Sequence, residues 1–599
     1  MDARHHYNAL IEKNHEKLRI LHRQRQWYTL ARILTFLGAL AAFYLLFQTG
    51  IVYAVTGALL FLAFFFYFIK NDIHSSKEER KCRTLVEINK DELEFLNGNY
   101  KQFDNGQEYI NPKHPYTFDL DIFGPASVFQ FVNRTSGNPG KSALADRLMN
   151  IDPRQDIQQE QKAIKELAPR LAFRQKLILL SKLHKNRENA SEKVLDFMES
   201  KNIFQGKNAL ELLVKFFPFV SLSLLLLSIF LIPPGYLLLV LLLSFVLNYL
   251  NFRKVGNLHN KISGTNEALG SFAAVISILE KESFTSKKLQ ALKEDLIQKD
   301  AKASSVICEI SKLGKRLDYR LNIYVSIPLN LFLLWDLRHV FLIERWKQKH
   351  RSAIPQWFGV LGQFESISSF AGLHFNFPDW TFPLADPETA FSIAAQEMGH
   401  PLIPVSKRIS NDFSMEGNGK VALVTGSNMS GKTTFLRTLG VNLVLAQCGA
   451  PVCASEFSFT PTDLHTSMRI MDSLSENTSS FYAELKRLNE ILQRAKNHDN
   501  VLLLMDEILR GTNSHDRHIG SEALIKQLIK QNAVALLATH DLELSRLEEE
   551  MPDHLINLHF DVQIEGKELF FDYKLHAGVC RSMNASLLME KMGIELKPK

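Results

Sequence analysis

The sequence predicts a multidomain chain: an α/β domain in the C-terminal third, an all-α region ahead of it, and four transmembrane helices arranged as two hairpins. Three observations predict this. Two pairs of long apolar runs are each split by a short polar or Pro-Gly break. Long helical periodicity dominates from about Tyr100 to Ser352. From Lys420 onward, short β-type apolar runs alternate with helical patterns, the signature of an α/β layer architecture.

Leu30 to Phe47 is apolar apart from Arg32, and Ile51 to Ile69 carries no charge; Gln48, Thr49 and Gly50 separate them. Each run approaches the roughly 20 residues a helix needs to cross a bilayer. Leu212 to Ile232, with Lys215 near its start, and Tyr236 to Phe252 repeat the pattern around Pro233, Pro234 and Gly235. Arg and Lys residues flank both hairpins on their open sides and are absent from the connecting turns. The positive-inside rule therefore puts both termini and the soluble parts in the cytoplasm of a bacterial-type inner membrane. About thirty polar residues precede the first run and no small-residue cleavage site follows it, so no cleavable signal peptide is expected. Ile323 to Leu334 is shorter and contains Pro328 and Asn330; it reads as a core helix. Asn257 to Lys315 reads as one long antiparallel helical arm.

Composition narrows little. The chain has 599 residues, enough for several domains, and 70 Lys and Arg against 64 Asp and Glu; a net charge of +6 neither requires nor excludes nucleic acid. Five cysteines form no CxxC pair, which argues against a disulfide framework or zinc site and for a reducing compartment. The domain reading is a basic segment at 1–28, a transmembrane hairpin at 29–69, and a helical connector at 70–100. A helical region follows at 101–375, interrupted by the second hairpin at 212–252, and then the α/β domain at 376–599.

The chemistry lies in that last domain. Val421 to Thr425 reads as a buried strand. It leads into Gly426, Ser427, Asn428, Met429, Ser430, Gly431, Lys432 and Thr433, which fit G-x-x-x-x-G-K-[ST] in a strand–loop–helix setting. Backbone amides of such a loop cradle phosphate; Lys432 is placed to reach the β- and γ-phosphates of ATP, and the Thr433 hydroxyl to ligate Mg²⁺. Thr434 completes the loop. A second apolar strand ends in Asp506 and Glu507, a metal-holding carboxylate and a base for the attacking water. A third ends in Thr539 and His540, where an imidazole can sense the γ-phosphate. All three strands deliver polar groups to one sheet edge, where parallel sheets bind ligand.

At these residues the sequence resembles the MutS family of DNA mismatch-repair ATPases, whose nucleotide domain is of the ABC type. The family loop is like TGPNMGGKST; this chain has Thr425-Gly-Ser-Asn-Met-Ser-Gly-Lys-Thr-Thr434. The family acidic motif is like DEIGRGTSTYDG; this chain has Asp506-Glu-Ile-Leu-Arg-Gly-Thr-Asn-Ser-His-Asp-Arg517. Ser479-Ser-Phe-Tyr-Ala-Glu484 resembles the family's STF-x-x-E segment, which implies that Ser479 or Ser480 acts on the partner subunit's γ-phosphate in a homodimer. His400-Pro401 and Asn411-Asp412 resemble the adenine lead-in, with Arg408 at a position where the family stacks on the base. Upstream, 114–144 and 161–167 look like the start of the family's lever domain, and the second hairpin falls near the family's DNA-clamp insertion. Leu509 and Arg517 replace two family glycines, and the Phe-x-Glu mismatch reader has no counterpart.

The resemblance thus implies a dimeric ATPase using ATP and Mg²⁺, with double-stranded or branched DNA as candidate partner and membrane lipids around the hairpins. Two readings stay open: ATP-driven DNA binding or repair-related action, or ATP-driven motion passed through the lever to the hairpins without DNA. A transporter ranks third, because no LSGGQ-type signature is present and the apolar helices offer few polar groups.

Overall fold

The structure, a computed structural model, describes residues 2–151, 156–183, 190–204, 206–263, 265–298, 301–387, 390–469, 480–497, 500–565 and 568–580. Helix α1 spans Ala3–Phe47 and helix α2 Ile51–Leu96, so each apolar run is half of a much longer helix. The charged halves pair below the apolar halves: Arg25 reaches Asp72 at 3.1 Å and Glu79 at 2.7 Å. The first turns of α1 are docked rather than solvated. Tyr7 is buried and its hydroxyl donates to Asn376 Oδ1 at 2.8 Å, while His6 lies against Phe375. The second pair is α3 (Asn208–Phe230) and α4 (Gly235–Ser263). These four helices are long and apolar enough to cross a membrane.

Two expectations fail. Ile323 to Leu334 is not a core helix. Helix α5 (Ile323–Leu333) buries none of its residues, and Leu334, at φ +45°, ends it. Helix α6 (Trp335–His350) then departs at 78°. The long arm is also absent. Residues 257–315 break into the end of α4, helices Asn266–Lys281 and Lys287–Asp295, an antiparallel pairing of 297–298 with 301–302, and helix Ala303–Leu317, which folds back on Asn266–Lys281. Glu166 forces one break by accepting the amides of Thr285 and Ser286, each at 2.8 Å. Periodicity reported the helices but not the turn, which a carboxylate from elsewhere holds.

Helix α7 (Ala353–Asn376) runs through the body, with Trp357, Phe364 and Phe370 fully enclosed. Helix Asn138–Met149 crosses it closely because Gly362 and Gly140 face the crossing. A Cβ on Gly362 would meet Pro139 O at 2.4 Å, and one on Gly140 would meet the Glu365 carboxylate. Glu365 is buried and accepts from the Ser136 amide and hydroxyl and the Gly137 backbone, yet burial pushes its carboxyl up to about 7.

The C-terminal third follows with helices α8 (Lys432–Gln447), α9 (Ser480–Asn497) and α10 (Ser514–Lys530) around a six-stranded sheet. Its strands are β1 (Val421–Thr425), β2 (Asp463–Ser467), β3 (Val501–Asp506), β4 (Val534–Thr539), β5 (Leu555–Glu565) and β6 (Glu568–Ala577), in the order β6-β5-β1-β4-β3-β2. All neighbours are parallel except β5 and β6. A smaller four-stranded sheet, which includes Ser392–Met398 and Asn411–Glu416, packs beside it. One continuous core joins α7, the helical region and α8; a second lies on the opposite face of the large sheet, under α9 and α10.

Candidate nucleotide site

The five residues of β1 and the six each of β3 and β4 are all buried, which is what a central parallel strand covered on both faces requires. Their register aligns Thr425 with Thr539 and Asp506 with Ala538, so three chain segments leave the sheet at one edge.

The loop after β1 turns back through positive φ at Gly426 (+152°), Met429 (+67°) and Gly431 (+109°). A Cβ on Gly426 would stand 2.8 Å from Ser430 Oγ and 3.0 Å from Phe560 O, so the position suits glycine alone. Gly431 then caps α8 at its N-terminus, where the helix dipole favours an anion. Asn428, Met429 and Thr434 face solvent, while Ser430 is buried. The Lys432 ammonium donates to Gly426 O at 3.0 Å and Ser427 O at 2.9 Å. Burial holds its pKa below the usual lysine value, partly opposed by Glu507 and Asp506.

Thr433 Oγ1 donates to Asp506 Oδ2 at 2.6 Å. Burial raises the Asp506 carboxyl, and its Oδ1 is buried with no hydrogen-bond partner, as is Ser430 Oγ. An unpaired buried carboxylate oxygen beside a threonine hydroxyl is the donor set a Mg²⁺ ion takes. Glu507 sits at φ +46° and its amide donates to Ala538 O, which turns the carboxylate toward the edge. Glu507 Oε1 lies 2.8 Å from His540 Nε2 and Oε2 lies 3.1 Å from Arg510 Nε. His540 is held below the usual imidazole range, by burial first and Lys432 second.

Beside the loop lies a cavity of about 280 Å³ lined by His400, Ile409, Gly431, Phe435, Phe560 and Tyr573, among others. Asn411 lines it, but its side chain is engaged: Nδ2 donates to Tyr573 O at 3.0 Å and Oδ1 accepts from Leu575 N at 2.8 Å. It fixes β6 over the cavity. Arg408 does not offer a stacking face. Its guanidinium donates to Ile403 O at 2.7 Å and to Cys453 Sγ at 3.0 Å, and lies over Trp380. Ser479 lies outside the described residues.

Both departures from the family glycines are accommodated. Leu509 adopts φ +60°, the conformation a glycine would take freely, and buries its side chain against Gly520, where a Cβ would come within 2.5 Å of it. Arg517 is in the first turn of α10 and needs no special backbone. Two site residues lay unassigned inside quoted motifs. Arg510 neutralises Glu507 from three residues on, and Glu484 accepts the Leu509 amide, fixing the loop after the acidic pair. An i, i+3 spacing from Glu507 was the available signal for Arg510.

Residues 422–591 match the protein family described as MutS domain V. The C-terminal part of the chain is thus similar to MutS domain V. Among curated proteins it is 36% identical over 192 residues to the DNA mismatch repair protein MutS of Lactobacillus delbrueckii subsp. bulgaricus, covering 31% of this chain and 22% of that one. It is 34% identical over 183 residues to the MutS of Thermotoga maritima, covering 30% and 23%. To the human protein named MutS protein homolog 4 it is 32% identical over 211 residues, covering 34% and 22%. The chain therefore matches less than a quarter of the length of these MutS relatives. The match takes in the phosphate-type loop, the acidic pair and the Thr539-His540 pair.

Proposed function

We propose that this chain is a membrane-anchored MutS-like ATPase, in which two copies bind ATP and Mg²⁺ and couple hydrolysis to DNA binding in a repair-related action. One observation carries the reading: Lys432, Thr433, Asp506, Glu507 and His540 converge at the carboxyl edge of one parallel sheet, beside a cavity at the N-terminus of α8. Lys432 and the loop amides hold the phosphates. Thr433 and Asp506 hold Mg²⁺, which supplies charge neutralisation to the phosphates. Glu507 accepts the proton of the attacking water, with His540 and Arg510 fixing its orientation. The Ser479 segment of a second copy completes the site, as the STF-x-x-E likeness implies. The two helix pairs anchor the assembly in lipid, with the soluble parts on the positively flanked, cytoplasmic side.

The second reading, motion passed to the membrane without DNA, is favoured by the way α4, α5 and α6 lead from the second hairpin into the core shared with α8. The two readings separate in one experiment. ATPase activity of the detergent-solubilised full chain is measured with and without duplex, branched and mismatched DNA at low salt. Stimulation or binding supports the first reading; neither with any DNA refutes it. Glu507→Gln is expected to bind ATP but turn over about 10²-fold or more slower. Unchanged turnover would remove Glu507 as the base.

A further inference from the structure

Apart from Ser326 and Asn330, which share one face, helix α5 is apolar, yet it lies outside the core. Ile323, Tyr324 and Ile327 are 63%, 87% and 53% exposed, and Leu321 just before the helix 74%. So apolar an exposed surface belongs inside a protein or inside a bilayer. At 11 residues, about 16 Å, it is too short to cross one. The chain leaves the body at buried Leu317 and returns at buried Leu334 and Leu337, and Trp335 Nε1 donates to Arg316 O at 2.9 Å, so entry and exit stand side by side.

The polar groups at its end are treated as if no water were near. The Asn330 carbonyl takes the Leu334 amide at 3.2 Å and also accepts from Ser244 Oγ at 2.8 Å and Asn248 Nδ2 at 3.3 Å. The Phe332 carbonyl accepts from Ser221 Oγ at 2.5 Å. Ser221 and Ser244 stand near the middle of the two apolar runs of α3 and α4 and are fully buried there, although their neighbours face outward. Asn330 Oδ1 takes the Asp336 amide at 3.0 Å. Irregular backbone is tolerated at membrane depth only where protein groups replace water in this way. Exposed Lys312, Lys315, Arg316 and Arg338 flank the element on the body side, where anionic headgroups lie.

We propose that α5 is a third membrane element, a helix embedded from one side in the leaflet facing the soluble body, held against the α3–α4 hairpin by Ser221, Ser244 and Asn248. The occupant of its apolar surface is lipid. The inference rests on the reading that α3 and α4 span a bilayer.

The test uses full-length protein in nanodiscs of phosphatidylcholine and phosphatidylglycerol, with a bimane label on one introduced cysteine. The variants are Y324C on α5, L239C on α4 and E549C on the α/β domain, with labelling of the parent chain subtracted. Brominated lipid is expected to quench labels at 324 and 239 several-fold more than aqueous iodide does, and the reverse at 549. A label at 239 in lipid with one at 324 open to iodide overturns the proposal. Protection of 324 from both quenchers also overturns it, because a second copy would then cover α5. Iodide access at 239 and 324 together refutes the spanning hairpin and the inference with it.

Discussion

Asp119 is a buried carboxylate that ties the helical region to the edge of the large sheet. It accepts the Thr466 hydroxyl at 2.7 Å, the Arg469 amide at 3.1 Å and the Met468 amide at 3.2 Å, with Arg487 at 3.6 Å. Hydrogen bonds to a charged acceptor contribute about 1.5–3 kcal/mol each, and removing one partner of such a buried group costs roughly 3–5 kcal/mol in total. Asp119→Ala is therefore expected to loosen the end of β2 by that amount. The chain is too large for two-state unfolding, so the assay is native-state hydrogen exchange of the peptide containing residues 463–469. At about 1.4 kcal/mol per decade, amide exchange there should accelerate roughly 10²- to 10³-fold. Asp119→Asn, which keeps shape and one acceptor, should give a smaller change. Exchange within tenfold of the parent protein would refute the reasoning. Equal acceleration in β5 would show a global effect instead of a local tie.

Two further outcomes follow from closely packed groups in the C-terminal third. Burial, with Arg437 and Arg408 adding to it, pushes His400 down to about 4, against an ordinary imidazole value of roughly 6.5. Between those values the unfolded chain binds a proton that the folded chain refuses, so stability falls as pH drops from about 6.5 to about 4, by roughly 3 kcal/mol in all. Thermal melting across that window should show the loss, and His400→Gln should flatten it; an unchanged slope counts against the assignment. Gly520→Ala places a Cβ against buried Leu509 and should cost about 1–3 kcal/mol, read as lowered thermal stability of the α/β domain. Leu509→Ala should rescue most of it in a double-mutant cycle, and strictly additive costs would show that the two sites are independent.

The α/β sheet and the loop geometry were legible because they depend on short-range patterns. Glycine is needed at Gly426 and Gly431, apolar runs at the three central strands, and polar residues at their ends. The roles of Asn411 and Arg408 were not legible. Both contribute long polar side chains whose partners, Tyr573 and Cys453, are distant in sequence, and only the packed fold decides between holding a ligand and holding the backbone. Helix α5 was misread for a related reason. Length and composition fit a core helix, but what covers a helix is set by its neighbours. The four longer apolar helices are, as expected, long and apolar enough to cross a membrane.

The apolar core that begins at Phe95, at the foot of the first helix pair, and at Phe217 and Val255 in the second runs without interruption to Phe435 and Phe560 beside the phosphate-type loop. Among the described residues this core is continuous. A cut at the apparent boundary near residue 376 would strip a large oily face on both fragments, and neither is expected to stay soluble alone. A displacement of α8 cannot be absorbed by a slack linker either. Close-packed interiors transmit strain, so a displacement of α8 is passed into the core it shares with the helical region.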